Sequence, residues 1–256
     1  MRVFAVSDLH VDYPLNLAWL QQLSLHDYRH DVLILAGDLS DSLELIAESF
    51  EALARRFAHV MYVPGNHDLW VNRDGMRDSF AKLDALQALA GQHGVRMTPL
   101  RLGGLALVPL LGWYDYSFGE PSDALKNVWM DYRACVWPSG YDDVAVTGEF
   151  TGRNAVAPCQ EAEGATTVIS FSHFLPRIDL MPDFVPERHR LIYPVLGTSV
   201  LETQLRQLGA HFHVYGHSHV NRHVTIDGVT YINNAFGYPS ESHFTARQLL
   251  CVHTTA

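Results

Sequence analysis

Short apolar runs recur along this chain, each closed by small and polar residues and separated by amphipathic stretches. Arg2 to Val6, Asp31 to Ala36 and Val60 to Val63 are apolar with little alternation, which predicts buried strands. Residues 15 to 25 carry Leu and Trp at helical spacing. Residues 42 to 57 set Leu43, Ile46, Ala47, Phe50, Leu53 and Ala54 on one stripe, and 76 to 91 turn Phe80, Leu83, Ala85, Leu86 and Leu89 inward. Strand, helix, strand, helix, strand is the rhythm of a parallel sheet with right-handed crossovers. Thr98 to Leu102 and Leu105 to Leu110 flank Gly103-Gly104 and predict a hairpin, after which the sheet is expected to continue antiparallel. Further strands are expected at 165–171, 211–215 and 248–253, a helix at 198–208, and a hairpin at 222–232 across Asp227-Gly228. Residues 112–164 have no clear period and are too long for an ordinary connection. They read as an insertion over the carboxyl ends of the strands, helical at 123–132, within a single domain of 1–256.

The polar clusters that close the strands carry the chemistry. They are Ser7-Asp8-Leu9-His10, Gly37-Asp38-Leu39-Ser40-Asp41, Gly65-Asn66-His67-Asp68, Ser172-His173 and Gly216-His217-Ser218-His219. Open α/β sheets place their sites at such ends. In an extended chain Asp8 and His10 point the same way, as do His217 and His219. Five strand ends offering oxygen and imidazole donors, with no thiolate, suit a pair of divalent cations. Asp38 has two carboxylate oxygens and can bridge them. The Asn66 amide oxygen is a hard ligand, the His67 imidazole can carry a proton, and Asp68 can fix the His67 tautomer and raise its pKa. Asp41 reads as the N-cap of the 42–57 helix.

Composition narrows the partner. The 256 residues are 48% apolar and 18% charged, with 28 acids against 18 bases and a net charge of −10. That balance argues against a long nucleic-acid groove but leaves room for a small phosphorylated substrate, because bound cations invert the local field. Three cysteines in no CxxC pair fit a reducing compartment. No membrane-length apolar run and no signal-peptide core are visible, so the expectation is a cytoplasmic protein with no membrane partner.

The order D-x-H, G-D, G-N-H-D, H and G-H-x-H, running from Asp8 to His219, resembles the calcineurin-like metallophosphoesterase superfamily. The resemblance implies an α/β fold, a four-layer α-β-β-α sandwich with mixed sheets. It implies one metal held by Asp8, His10, Asp38 and His219 and a second by Asp38, Asn66, His173 and His217, with Mn, Fe, Zn, Co and Mg all compatible. His67 would protonate or stabilise the leaving oxygen, oriented by Asp68, while a metal-bridging hydroxide attacks phosphorus in line. Ser172 stands where Gly is frequent before His173, and the ligand itself is kept. Arg177 and Arg73, near ligand loops, are candidates to grip a phosphate. Tyr13, Trp113 and Tyr114 are candidates for a substrate wall. The expected activity is a phosphodiesterase on a small substrate. The alternatives are a phosphomonoesterase and, with every motif position filled, less readily a non-catalytic scaffold.

Overall fold

Two sheets face each other across an apolar layer, and both are built from the runs that read as strands. The computed structural model describes residues 1–154, 156 and 159–255. The first sheet holds β1 (Arg2–Val6), β2 (Val32–Ala36), β3 (His59–Val63), β4 (Val95–Arg96) and β11 (Leu250–Thr254), in the order β11-β1-β2-β3-β4. Its strands are parallel except for β11, which pairs antiparallel with β1. The second sheet holds β5 (Leu100–Leu102), β6 (Leu105–Pro109), β7 (Thr167–Phe171), β8 (Phe212–Tyr215), β9 (Arg222–Ile226) and β10 (Val229–Asn233), in the order β5-β6-β7-β8-β10-β9.

Alternate residues of both sheets point into the shared layer: Val3, Ala5, Ile34 and Met61 from one, Leu107, Ile169, Val214 and Ile232 from the other. The intervening residues pack outward under helices α1 (Pro14–Gln22), α2 (Leu43–Ala54) and α3 (Ser79–Gln92) on one side. On the other side they lie under α6 (Asp143–Gly152) and α7 (Ser199–Gln207). Burial on both faces is why these strands lack polar alternation. The result is the four-layer α-β-β-α sandwich with mixed sheets.

The structure differs from expectation where pairing is long-range. The hairpin β5–β6 forms antiparallel as expected, but it starts a second sheet in which β6, β7, β8 and β10 run parallel. Apolar runs buried on both faces do not record which sheet they join. Ser42, not Asp41, caps α2, its hydroxyl accepting from Leu45 N, while Asp41 pairs with Arg73. The helical reading of 123–132 breaks into α4 (Asp123–Val128) and α5 (Asp131–Ala134), with Trp129 extended between them.

The carboxyl ends of the two sheets are tied together by backbone. Ser7 N donates to Asn234 O and Phe236 N to Ser7 O, a parallel bridge between the end of β1 and the chain after β10. Lys82, wholly buried on α3, donates to the carbonyls of Asp41 and Trp70 and pairs with Asp74 at 2.9 Å. It thereby pins the loop that follows Gly65-Asn66-His67-Asp68. Among the described residues, no helix is long and apolar enough to cross a membrane.

Candidate metal centre

Asp8, His10, Asp38, His217 and His219 all lie in the left-handed region, with φ of +54, +42, +56, +69 and +53°. Non-glycine residues enter this region at a cost of roughly 1–3 kcal/mol each, and such residues cluster at functional sites. The expected extended geometry of the D-x-H and H-x-H pairs is therefore replaced by coiled backbone. Neighbouring strands hold it: Asp8 N donates to Gly37 O at 2.9 Å, His10 N to Asp38 O at 3.0 Å and Gly216 N to His173 O at 2.9 Å. Gly65 is needed for close approach, because a Cβ there would collide with the Asp38 carboxylate. Gly37 turns at φ +83° directly under the His173 ring.

The side chains form two groups of donors joined by Asp38. In one, His219 Nε2 lies 3.2 Å from Asp8 Oδ1 and 3.3 Å from His10 Nε2. In the other, His173 Nε2 lies 3.0 Å from His217 Nδ1, 3.2 Å from Asn66 Oδ1 and 3.5 Å from Asp38 Oδ1. The second oxygen, Asp38 Oδ2, is 3.9 Å from His10 Nε2, so one carboxylate faces both groups.

The donor chemistry fits a pair of cations. His173 Nδ1 is 2.9 Å from Ala36 O, His217 Nε2 is 3.0 Å from Val195 O, and His219 Nδ1 is 2.6 Å from Glu241 Oε2. Those oxygens only accept, so those ring nitrogens carry the protons. Asn66 Nδ2 donates to Asp131 at 2.8 Å, which turns its carbonyl oxygen toward His173. His173 Nε2, His217 Nδ1 and Asn66 Oδ1 are then three lone-pair atoms close together with no hydrogen between them, beside Asp38 Oδ1, which accepts the backbone N–H of His67 at 3.0 Å. Such a set is repulsive until a positive ion lies within it. Burial lowers the His10, His173 and His217 imidazoles, so protons on those three rings are a poor substitute, whereas, against burial, Asp8 and Glu241 raise His219, and burial with Asp68 and Asp8 raises the Asp38 carboxyl. The partners on the outer ring nitrogens are the outer-shell bonds that orient histidine ligands.

Asp68 does something other than orient His67. Its buried carboxylate accepts four backbone N–H groups: Asp38 at 2.8 Å, Leu39 at 2.8 Å, Ser40 at 2.9 Å and Gly65 at 2.8 Å. It clamps the two ligand loops together and makes no hydrogen bond to His67. His67 instead stacks on Trp70, with ring centroids 3.8 Å apart, and its Nε2 lies 3.5 Å from the Tyr238 hydroxyl and 3.9 Å from Asp38 Oδ2. Burial, then the neighbouring His173 and His219, lower His67 to about 3, the opposite of the expected rise. Its resting form is a neutral imidazole.

The remaining candidates divide. Tyr13 and Arg73 reach a cleft of about 380 Å³ beside His10 and His67, with Asp12 and Asp41 also in its wall. Arg73 donates to both Asp12 and Asp41 there, at 2.5 and 2.8 Å, so its fork is already engaged. Trp113 and Tyr114 are wholly buried, stacked on each other at 4.7 Å, and Trp113 meets Phe174 edge-on. They are core, not wall. Arg177 is bound to Asp179 and Glu202 and lines neither cleft at the centre.

A second cleft, about 210 Å³, is walled by Val128, Trp129, Met130 and Asp131, and it shares His67, Trp70 and Tyr238 with the first. Sequence reasoning missed Trp70, Asp131, Tyr238 and Glu241. Trp70 lies close enough to Asp68 for the motif to have drawn it in. The others are distant in sequence and carry no spacing signal.

A family model described as calcineurin-like phosphoesterase matches residues 1–221. The chain is 31% identical over 265 residues to the [acyl-carrier-protein] phosphodiesterase PptH of Mycobacterium tuberculosis, covering 93% of this chain and 78% of that protein. The crystal structure of phosphopantetheinyl hydrolase (PptH) from M. tuberculosis superposes with a TM-score of 0.74 at 28% identity, covering 94% of this chain and 91% of that one.

Proposed function

The chain belongs to the calcineurin-like phosphoesterase family, and from its likeness to PptH we propose that it is a phosphodiesterase that releases a phosphopantetheine arm from a carrier protein. It is a hydrolase of phosphoric ester bonds with a dinuclear centre of divalent metals. The observation that carries the diester reading is the pair of clefts meeting at His67, Trp70 and Tyr238. A monoester needs room for one substituent beyond its phosphate, whereas a diester needs room for two. The smaller cleft, with Val128, Trp129 and Met130, suits an uncharged slender arm. The other, lined by Asp12, Asp41 and Arg73, is larger and more polar and suits the carrier side of the diester. Val128 to Asp131, within the irregular stretch, wall one of the two clefts in this reading.

In the proposed assignment Asp8, His10, Asp38 and His219 hold one metal, and Asp38, Asn66, His173 and His217 hold the other. When bound, the two ions neutralise phosphoryl oxygens and lower the pKa of water to near neutrality, from about 15.7 in bulk. The chain supplies the rest. Asp38 keeps the two donor groups in one register. His67, held in plane by Trp70, presents Nε2 with the Tyr238 hydroxyl alongside. The anionic phosphate of an arriving substrate favours the protonated imidazole, which gives its proton to the departing alcohol oxygen as the bond to phosphorus breaks. Water supplies the hydroxyl gained by phosphorus, so the products are a phosphomonoester arm and a free carrier hydroxyl.

The test is manganese-loaded protein mixed with a carrier protein bearing its phosphopantetheine arm, read by intact mass and by assay of released phosphopantetheine. Loss of the arm is the expected result. An unchanged carrier, with p-nitrophenyl phosphate hydrolysed faster than bis-p-nitrophenyl phosphate, would replace this reading with a phosphomonoesterase.

A further inference from the structure

Three side-chain N–H groups, two from the loop that holds Asn66 and Trp70 and one from neighbouring Trp129, converge on one buried carboxylate. Asp131 is 2% exposed. Its Oδ1 accepts Asn66 Nδ2 and Trp70 Nε1, both at 2.8 Å, and its Oδ2 accepts Trp129 Nε1 at 2.7 Å. It makes no ion pair among the described residues, although burying an unpaired charge is costly. Neutral side chains could have filled the volume, so the charge points to a task that only a pure acceptor performs.

The task is set by the chemistry of Asn66. The two ends of a side-chain amide are nearly equal in shape, and only the oxygen end can ligate a metal. A carboxylate accepts and does not donate, so it binds the NH₂ end and rejects the oxygen end. Asp131 thus selects the orientation in which Asn66 Oδ1 faces His173 Nε2 at 3.2 Å. A flipped amide would set oxygen against carboxylate on one side and NH₂ among metal donors on the other. Through its bond to Trp70, the same carboxylate fixes the ring on which His67 stacks at 3.8 Å. Through Trp129 it fixes a ring edge-on to His217, 5.8 Å between centroids.

We propose that Asp131 is a positioning residue for the metal centre: it locks the Asn66 amide in its ligating orientation and ties residues 129–131 to the second metal position. The inference rests on Asn66 being a ligand and not on the identity of the substrate. It is therefore tested by metal binding in the absence of substrate.

The experiment is equilibrium dialysis of metal-stripped protein against manganese, with electron paramagnetic resonance to separate paired from single ions. D131N is expected to weaken one of the two manganese equivalents about 10- to 100-fold, the usual effect of losing an outer-shell partner, while the other stays within about threefold of the parent. N66D combined with D131N reverses the pair, keeps the net charge and keeps a hydrogen bond between the two positions. It is expected to recover two paired ions. D131N binding both ions with parental affinity would overturn the proposal. So would a parallel weakening of both ions together with a fall in Tm, the signature of a merely structural residue. If D131N fails to fold, the double variant decides: a folded protein with two ions supports the proposal, and a folded protein with one refutes it.

Discussion

Asp68→Asn separates two roles for a single carboxylate. If Asp68 orients His67, the substitution lowers turnover and leaves stability nearly intact. The structure instead gives its two oxygens four backbone donors, from Asp38, Leu39, Ser40 and Gly65, in a site with no solvent exposure. An asparagine oxygen in place of Oδ1 still accepts from Leu39 and Ser40. Its NH₂ then meets the N–H groups of Asp38 and Gly65, donor against donor. Two charge-assisted bonds are lost, each worth roughly 1.5–3 kcal/mol, so the expected destabilisation is about 3–6 kcal/mol. Against a typical total of about 5–15 kcal/mol, that is a large fraction. The assay is guanidinium unfolding of metal-free protein, so that loss of metal binding does not inflate the result, alongside turnover of bis-p-nitrophenyl phosphate per bound metal. A D68N protein within about 0.5 kcal/mol of the parent, yet with turnover per metal cut 100-fold, would refute the clamp and restore the orienting role.

E241Q removes the charged acceptor of His219 Nδ1 and is expected to weaken the metal on the Asp8–His10–His219 side by about 10- to 100-fold, measured by dialysis against manganese. W113A is expected to cost about 3–5 kcal/mol of unfolding free energy with KM unchanged in whatever protein remains folded, because Trp113 is core. R177A is expected to leave kcat/KM within about twofold, since its fork serves Asp179 and Glu202. His213, buried between the Ser170 and Ser172 hydroxyls, is lowered by burial to about 3 from 6.5. The unfolded chain therefore binds a proton below pH 6.5 that the folded chain refuses, and the stabilisation present above pH 6.5 is lost as pH falls. Between pH 7 and 5 this group alone removes about 2 kcal/mol. H213Q is expected to flatten that part of the stability–pH curve, read by denaturant titrations of metal-free protein at the two pH values.

Which residues meet at the centre is legible in the local pattern of the chain. Every proposed metal ligand stands within four residues of the end of a buried strand. Such strands announce themselves as apolar runs, and a sandwich gathers their ends in one place. The donor types and the family resemblance follow from that local pattern, and the structure sets the two Asp38 oxygens toward different donor groups. Tertiary structure decided what depends on distant partners. The left-handed backbone at five ligands is imposed by bonds between loops of different strands, and no local propensity announces it. The resemblance implies two sheets, but which strand joins which sheet is not written in the runs, because strands buried on both faces read alike in either. Asp68 looked like a partner for His67 because the two are adjacent in the chain, but the turn sends its carboxylate backward to four amides. Trp113 and Tyr114 looked like cover for a substrate because aromatic residues in an irregular stretch serve core and surface alike. Asp131 and Glu241 were invisible for the simplest reason: a carboxylate acquires its task from the group it touches, and Asp131 touches Asn66 across 65 positions of sequence.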